Sequence, residues 1–503
     1  MTSDCDADAD VYNKHHYYKT PEETVAGVLK AGTDVDCTSF VGKNAQSALD
    51  KGLIDEAEID KHLAVLMKVR IRLGHFDPVG PLQTFPMSDV CSDYAIALSN
   101  DGPVQSAALV KNADKTLPLS DSVRTVAVIG PNYNLSKADV GYYGPHAPCD
   151  NNYWTLMDAV EKHSSAKATG VAGVPTVLSE DTSGIAAAVA AAKEADEVIL
   201  AVGTDLTWAH EEHDADNITF TNAQAQLIKE VSAAAKKPVI LMMMTATPLD
   251  LTAVMANDKI GAVMHLGQPS VTVVGVGELL FGKVSPAGRT VQTVYEAAYA
   301  DDVSIFDFNM RPGPSEFPRP DCKGGCGSSM GTNPGRTHRF YTGKPVVPFG
   351  FGLSYTTFTY DPKASATSVS LAPVHEILAA TTEANRTFPS SKLLAEAAPL
   401  VNYMVNVTNT GSMDADDVVL GFLVPPDAGK DGVPLQTLFG FERVHVKAGE
   451  TVLVNLYPEL TDFAYTLLDG TKKAVAGEWT VKFGVKETAQ HGQGYAEAKL
   501  TTF

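Results

Sequence analysis

Residues 185–202 read IAAAVAAAKEADEVILAV, an alanine-rich helical stretch followed by a short apolar run. Residues Ile185 to Glu194 are predicted to form a helix, and Val198 to Val202 a buried strand. Three further runs of this kind occur nearby: Val126 to Ile129, Pro238 to Met243 and Gly261 to Leu266. Apolar strands that alternate with helices are typical of a mainly parallel sheet covered on both faces. Residues 104–295 are therefore predicted to form an α/β sandwich domain.

The C-terminal part of the chain has a different period. Tyr403, Val405 and Val407 alternate with polar neighbours, and residues 451–456 and 478–485 do the same. This period of two is typical of an antiparallel β-sandwich, predicted for residues 397–503. Residues 296–346 are rich in Gly, Pro and Asn, so residues 296–396 are predicted to be a long loop and a connecting segment.

The N-terminal part contains one clear helix. Asp55 and Glu58 form a capping-box-like start, and apolar residues then recur at helical spacing as far as Leu73, before Gly74. Residues 79–103 have no sustained period and are bracketed by Gly80-Pro81 and Gly102-Pro103. They are predicted to be a linker, with a short helix inside it as the alternative.

Composition limits the function classes. The 503 residues carry 39 Lys and Arg against 60 Asp and Glu, a formal charge of −21, which disfavours nucleic acid and anionic lipid as partners. A chain of this length is expected to fold as two or three domains. No apolar run approaches the roughly 20 residues that cross a bilayer, and no export signal is visible, so the chain as given is expected to be soluble.

The cysteine and glycine motifs do not predict a cofactor or a metal. Cys322 and Cys326 enclose a Gly-rich loop without a matching second pair, so a loop-closing disulfide is favoured over zinc. The run Gly275-Val276-Gly277 lacks the third glycine of a dinucleotide site. Four Asn-x-Ser/Thr sequons permit glycosylation and favour secretion: Asn134, Asn217, Asn385 and Asn406.

Several motifs follow one another along the chain in the order found in one enzyme family. The first are Ser3-Asp4-Cys5-Asp6-Ala7 and Ala31-Gly32-Thr33-Asp34-Val35-Asp36-Cys37. Others are residues 11–17, 72–78, 127–132, 280–282, 286–289, 333–337 and VPFGFGLSYTTF at 347–358. Together they resemble the family-three glycoside hydrolases, and the β-xylosidase branch in particular, over nearly the whole chain.

The resemblance implies a multidomain fold, α/β plus all-β. Residues 1–78 would be the C-terminal remnant of a (β/α)8 barrel, with two strand ends that are each followed by a helix. The domain at 104–295 would be the family's α/β sandwich, and residues 397–503 its fibronectin type III-like domain. The first six strands of the barrel are expected to be absent, so the chain is expected to be truncated at its N-terminus.

The resemblance also implies which carboxyl groups carry out the reaction. Retaining glycoside hydrolysis needs two carboxyl groups roughly 5 Å apart, one as nucleophile and one as acid/base. Asp4 is the predicted nucleophile, and the acid/base is expected in the loop Gly203 to Asp214. Glu211 is the first choice there. The branch has Glu-Gly-x-Asp-Arg, whereas this chain has Glu-Glu-His-Asp-Ala at 211–215, so Glu212 is an alternative acid.

Four further residues are predicted to contact the sugar: Trp208, Cys5, Cys37 and Asp34. Trp208 would stack on a sugar face or, equally, belong to a core. A Cys5–Cys37 disulfide would narrow the pocket in favour of a pentose, and two reduced thiols are the alternative. Asp34 and Asp36 would bind sugar hydroxyls or cap the next helix.

The predicted function is an extracellular, exo-acting, retaining glycoside hydrolase that releases terminal xylose from β-1,4-xylo-oligosaccharides. Xylose, arabinose and glucose are not distinguished by the residues present. The alternatives are a non-catalytic truncated product, including one half of a split enzyme that needs another chain to complete its barrel, and a carbohydrate-binding fragment that does not hydrolyse. Self-association is the expected way in which the short chain could assemble a working site. The missing barrel strands motivate both alternatives, because positioning supplies much of an enzyme's rate.

Overall fold

A computed structural model describes residues 1–134, 149, 152–210, 213–269, 271–320, 330–383, 389 and 397–503. The chain divides into two compact units, Met1–Asp89 and Val90–Phe503, and each unit is described by itself. Among the described residues, no helix is both long enough and apolar enough to cross a membrane.

The first unit is mainly helical. Its helices are α1 (Ala7–Asn13), α2 (Pro21–Ala31), α3 (Phe40–Asp50) and α4 (Glu56–Arg72), with 3-10 turns at Pro81–Gln83 and Met87–Asp89. Two strand ends pair in parallel through a bridge between Thr2 and Val35. A capping box between Thr20 and Glu23 starts α2. The core of this unit is small and consists of Val25, Ala26, Leu29, Ala48 and Ile54.

Helix α4 confirms the predicted start at Asp55. The Asp55 carboxylate accepts a hydrogen bond from the backbone N–H of Glu58 at 2.9 Å. The apolar side chains that predicted the helix are nevertheless largely exposed, since Leu63, Val69 and Leu73 are 44%, 48% and 76% accessible. The buried residue of this helix is His62.

The second unit begins with an α/β part whose predicted strands and helix are confirmed. The strands are β1 (Ala108–Asn112), β2 (Thr125–Ile129), β3 (Lys167–Val171), β4 (Glu197–Gly203), β5 (Val239–Met244) and β6 (Ile260–Gly267). The helices are α5 (Asp93–Ser106), α6 (Leu156–His163), α7 (Ile185–Glu194), α8 (Asn222–Ala234), α9 (Thr252–Ala256) and α10 (Val276–Leu280), with a 3-10 turn at Ala113–Lys115. The sheet order is β1-β6-β5-β4-β2-β3. Antiparallel β1 borders five parallel strands.

Helix α5 starts inside the segment predicted to be a linker. Ser92 caps it by accepting a hydrogen bond from the N–H of Ala95. The pair Gly102-Pro103 was expected to form a turn, but it lies within this helix. Pro103 and Val104 are buried there, so packing outweighs the weak helix propensity of the pair.

The remaining elements of the second unit make up a connecting segment and a β-rich part. The helices are α11 (Ala298–Asp302), α12 (Thr337–Phe340), α13 (Ala372–Glu383) and α14 (Lys486–Ala489), with a 3-10 turn at Leu460–Phe463. The strands are β7 (Gly313–Pro318), β8 (Met330–Asn333), β9 (Phe358–Ala364), β10 (Ser368–Val369), β11 (Tyr403–Asn409), β12 (Ala415–Val424), β13 (Thr437–Val446), β14 (Thr451–Leu456), β15 (Ala464–Thr466), β16 (Lys472–Ala474), β17 (Gly477–Phe483) and β18 (Ala496–Thr502).

The β-rich part is built around two facing sheets, and β7-β8 and β15-β16 form two further two-stranded sheets. One of the facing sheets has the order β10-β18-β17-β12-β13 and the other β14-β11-β9. Inward residues of both sheets, such as Val405 and Val481, belong to one hydrophobic cluster. The predicted alternation is confirmed in β11, where every second residue from Tyr403 is buried.

A buried ion pair joins the α/β part of the second unit to its sheets. The guanidinium of Arg289 donates to Asp417 Oδ1 at 2.5 Å and to the carbonyl oxygen of Gly352 at 2.8 Å. The hydroxyl of Tyr360 donates to the other oxygen of Asp417 at 2.6 Å. Asp417 is fully buried, so these partners rather than water stabilise its carboxylate.

Candidate active site

In the second unit, the predicted acid/base loop follows a strand at the point where the sheet order reverses. The five parallel strands, numbered along the chain, lie in the order 2-1-3-4-5. In sheets of this order, ligands bind beyond the carboxyl ends of the strands on either side of the reversal. Those strands are β2 and β4, and the loop Gly203 to Asp214 leaves β4.

The ends of these two strands are held close together. The backbone N–H of Asn132 donates to Ala201 O at 3.2 Å, and its side-chain amide donates to Thr204 O at 3.4 Å. Gly130 has φ +134°, and a Cβ there would collide with the carbonyl oxygen of Ala201. A glycine at this turn therefore lets the β2 loop approach β4.

Trp208 lies both in the core and at the edge of a cavity. It is 6% exposed and belongs to the hydrophobic cluster of the α/β part. It also borders a cavity of about 340 Å³, together with Glu180, His213, Asp214 and Asp216 among others. The burial agrees with the core alternative, and stacking on a sugar stays a prediction.

The two candidate acids, Glu211 and Glu212, lie outside the described residues. Their neighbours on either side are paired, because the N–H groups of His210 and His213 each donate to the other's carbonyl oxygen at 3.0 and 2.9 Å. The two imidazole rings are 5.4 Å apart. His213 and Asp214 are exposed at the cavity that Trp208 borders.

In the first unit, Asp4 lies directly after a paired strand end. The N–H of Ser3 donates to Val35 O at 2.9 Å. The Asp4 side chain is exposed, and its Oδ1 accepts a hydrogen bond from the N–H of Cys5 at 2.7 Å. Cys5 and Cys37 form a disulfide, as predicted, with their Cα atoms 4.4 Å apart. The disulfide links the loops that leave the two strand ends.

The neighbouring aspartates already have protein partners. Asp34 accepts hydrogen bonds from the amino group of Met1 and from His62 Nδ1, and these bonds hold the pKa of Asp34 below its usual value. Asp36 accepts from the N–H of Val41 at 2.9 Å, which is the capping alternative. Sugar binding by Asp34 stays a prediction.

Three features were missed by the sequence reasoning. His62 is buried, with Nδ1 2.7 Å from Asp34 and Nε2 2.9 Å from Glu58. Asp8 is 5% exposed, and burial, followed by the charge of Asp36, raises its pKa. The spacings from Glu58 to His62 and from Asp4 to Asp8 are both four residues, a helical signal.

Cys91 and Cys149 form a second disulfide. Cys322 and Cys326 lie outside the described residues.

Comparisons with known proteins agree with these observations. Residues 107–355 match the glycosyl hydrolase family 3 C-terminal domain. Beta-D-xylosidase 1 of Arabidopsis thaliana is 33% identical over 465 residues, which are 91% of this chain and 57% of that protein. A probable exo-1,4-beta-xylosidase xlnD of Neosartorya fischeri is 35% identical over 492 residues, 97% of this chain and 59% of that protein.

Solved structures share the fold. A GH3 exo-beta-xylosidase (XlnD), in complex with a xylobiose aziridine activity-based probe, superposes with a TM-score of 0.82 at 28% identity. It matches 100% of this chain and 61% of that one. A β-glucosidase from Listeria innocua matches all of this chain and 63% of its own, with a TM-score of 0.75 at 20% identity, which bears on the fold alone.

The chain thus spans about three fifths of the length of the relatives that it matches. The mixed α/β multidomain fold and the relatives at about one third identity agree with the resemblance that the motifs carry. Residues 107–355 thus match the glycosyl hydrolase family 3 C-terminal domain, and the chain is similar over nearly its whole length to proteins named as β-xylosidases.

Proposed function

We propose that this chain belongs to a retaining, exo-acting β-xylosidase that releases terminal xylose from β-1,4-xylo-oligosaccharides. One observation carries the proposal: Asp4 is an exposed carboxylate at the end of paired strands, in a chain similar to β-xylosidases along nearly its whole length. Asp4 is proposed as the nucleophile. Glu211, or alternatively Glu212, is proposed as the acid/base.

The proposed reaction has two steps. The Asp4 carboxylate attacks the anomeric carbon while the acid protonates the leaving glycosidic oxygen, and water then hydrolyses the glycosyl-enzyme with the same residue as base. The N–H of Cys5 orients Asp4 through Oδ1, so we assign the attack to Oδ2. The reaction needs no cofactor.

The substrate preference is proposed from the loops around Asp4. The Cys5–Cys37 disulfide ties two loops together beside the nucleophile, and this constraint favours a narrow site for a pentose. Trp208 and Asp34 are proposed as further sugar contacts, Trp208 through its edge at the cavity. We also propose an extracellular location, which the two disulfides support because such bonds persist in oxidising compartments.

The finer fold assignments belong to the same proposal. Residues 1–78 are proposed as part of a (β/α)8 barrel, supported by parallel strand ends that are followed by helices. Residues 397–503 are proposed as a fibronectin type III-like domain, with β9 added to its three-stranded sheet. The α/β sandwich is proposed at 104–295, a linker at 79–103 and a connecting segment at 296–396.

The test is covalent trapping of the nucleophile. The chain is incubated with an activated 2-deoxy-2-fluoro-β-xyloside, whose glycosyl-enzyme turns over slowly, and the labelled peptide is sequenced by mass spectrometry. We expect the label on Asp4, and Asp4→Asn is expected to lower aryl xyloside hydrolysis about a thousandfold or more. Asp6→Asn is the matched control, because Asp6 is an exposed neighbour without a side-chain capping bond.

Each other outcome counts against part of the proposal. A label on another carboxylate would remove Asp4 from its role. Binding of xylo-oligosaccharides without label or hydrolysis would favour the carbohydrate-binding alternative. Glu211→Gln and Glu212→Gln separate the two acids, because loss of the acid slows xylobiose hydrolysis more than that of an aryl xyloside with a good leaving group.

A further inference from the structure

One of the four sequons lies on the wall of an apolar groove in the second unit. The groove has a volume of about 690 Å³, within the roughly 300–1,000 Å³ of small-molecule sites. The segment Asp216 to Thr219, which contains the sequon Asn217-Ile218-Thr219, borders this groove, and Asp216, Asn217 and Thr219 also border the cavity at Trp208. Most residues from Ala297 to Phe306 also border the groove, as does Pro318.

The groove exposes apolar and aromatic side chains beside the sequon. Phe306 is 63% exposed and Ile305 is 47% exposed, and Tyr299 borders the same space. Aromatic rings pack against the C–H faces of pyranose sugars, while Asp301 and Arg336 offer polar groups at the rim. The groove therefore has the chemistry of a binding site for sugar residues.

The geometry at Asn217 suits attachment of a glycan. Asn217 is exposed, and its Oδ1 accepts hydrogen bonds from the N–H and the hydroxyl of Thr219, both at 3.3 Å. These bonds hold the Asn217 amide on the groove wall. A sugar attached to Nδ2 would thus begin next to the groove.

The sequon at Asn406 is arranged differently. Asn406 is half-buried in β11, the central strand of its three-stranded sheet, with neighbours on both sides. The hydroxyl of its sequon residue Thr408 is 2.8 Å from that of Thr451 on β14, rather than serving the Asn406 side chain. Asn406 therefore provides an internal comparison within the same chain.

We propose that Asn217 carries an N-linked glycan whose first N-acetylglucosamine residues occupy this groove and cover Phe306 and Ile305. In the transfer step, a lipid-pyrophosphate-linked oligosaccharide is the donor. The bond from its anomeric carbon to the pyrophosphate oxygen breaks and a bond to Asn217 Nδ2 forms. The amide nitrogen loses a proton, and the lipid pyrophosphate leaves. The inference relies on the extracellular location proposed above and not on catalysis.

The first arm of the test measures the modification. The full chain, preceded by a secretion leader, is produced in a eukaryotic host, and glycopeptides are identified by mass spectrometry after enzymatic deglycosylation in heavy-oxygen water. We expect the Asn217 peptide to carry the conversion to Asp, and Asn217→Gln to remove one glycan. Secreted chain with an unmodified Asn217 would overturn the proposal. This readout is independent of xyloside hydrolysis.

The second arm measures whether the sugars lie in the groove. An endoglycosidase that cleaves between the two core N-acetylglucosamine residues is applied to native and to unfolded chain. We expect release from Asn217 to be about three- to tenfold slower in the native chain, the range that aromatic contacts support. Phe306→Ser should remove this protection. Phe308→Ser should preserve it, since Phe308 is 87% exposed and is not among the described groove residues.

Equal rates of glycan release from the native and the unfolded chain would overturn the proposal that the glycan occupies the groove. Protection that survives Phe306→Ser would overturn it as well, because the shielding would then come from elsewhere. Neither exposed phenylalanine is part of a core cluster, so both variants are expected to fold.

Discussion

Helix α4 of the first unit and helix α8 of the second have similar sequence periods and different surroundings. In α8, Leu227, Ile228 and Val231 are at most 6% exposed and belong to the α/β core. In α4, Leu63 and Val69 are 44% and 48% exposed. Apolar spacing therefore predicts a helix, whereas burial of the apolar face depends on a neighbouring layer.

The two units also differ in the extent of their hydrophobic cores. Five buried apolar residues make up the core cluster of the first unit, whereas the α/β part and the two sheets of the second have extensive clusters. Hydrophobic stabilisation scales with the apolar area buried. We therefore expect the first unit to unfold at lower denaturant concentration than the second.

The largest effect is expected from the buried ion pair of the second unit. Asp417→Asn leaves Arg289, which is 11% exposed, without a charged partner, and should cost about 3–5 kcal/mol of unfolding free energy. Asp416→Asn is the control, because Asp416 and its partner Arg443 are 28% and 31% exposed. Denaturant unfolding measures both. Equal losses would show that burial does not distinguish the two carboxylates.

The second prediction compares a buried leucine of the first unit with an exposed one. Leu29→Ala should destabilise that unit by about 2–5 kcal/mol, because Leu29 is 7% exposed in its small core. Leu63→Ala on α4 should cost less than about 1 kcal/mol, because half-exposed surface is already hydrated. Hydrogen exchange of the α2 and α3 amides provides the readout. A comparable loss for Leu63→Ala would mean that the α4 face is covered in solution.

The smallest effect concerns one carboxyl in each unit, the buried Asp8 and the half-buried Asp462. Burial raises the pKa of Asp462 in the second unit to about 6, and burial also raises that of Asp8 in the first. A raised folded-state pKa contributes stability that is complete below the unfolded value near 3.8 and is lost as pH rises through the folded value.

For Asp462 the loss is at most about 3 kcal/mol between pH 4 and pH 7. Asp462→Asn and Asp8→Asn should therefore flatten the fall of Tm with rising pH, each in its own unit. Asn can still accept the hydrogen bond that Asp462 receives from the N–H of Glu459. Thermal unfolding from pH 4 to pH 8 tests this. An unchanged pH profile in both variants would contradict the role of burial.

Part of the candidate site could be predicted and part could not. The Cys5–Cys37 disulfide could be predicted because each cysteine lies in a short motif that resembles a strand end of the family, while the role of Asp4 stays a prediction. The pairing of Asp34 with His62 could not be predicted, since it depends on how helix α4 folds back, whereas the bond from the N–H of Val41 to Asp36 is the predicted capping alternative. Trp208 was ambiguous because core and ligand-binding tryptophans have the same sequence signal.

Four local features could be predicted from the amino-acid sequence: the helix from Ile185, the apolar strands, the cap at Asp55 and the alternation in β11. These follow from the propensity and spacing of neighbouring residues. Three other features are visible only in the folded chain: the strand order that brings Asn132 against Thr204, the Cys91–Cys149 pairing and the groove beside Asn217. The physical reason is that such contacts join residues far apart along the chain, and a local period carries no information about which distant surface will cover it.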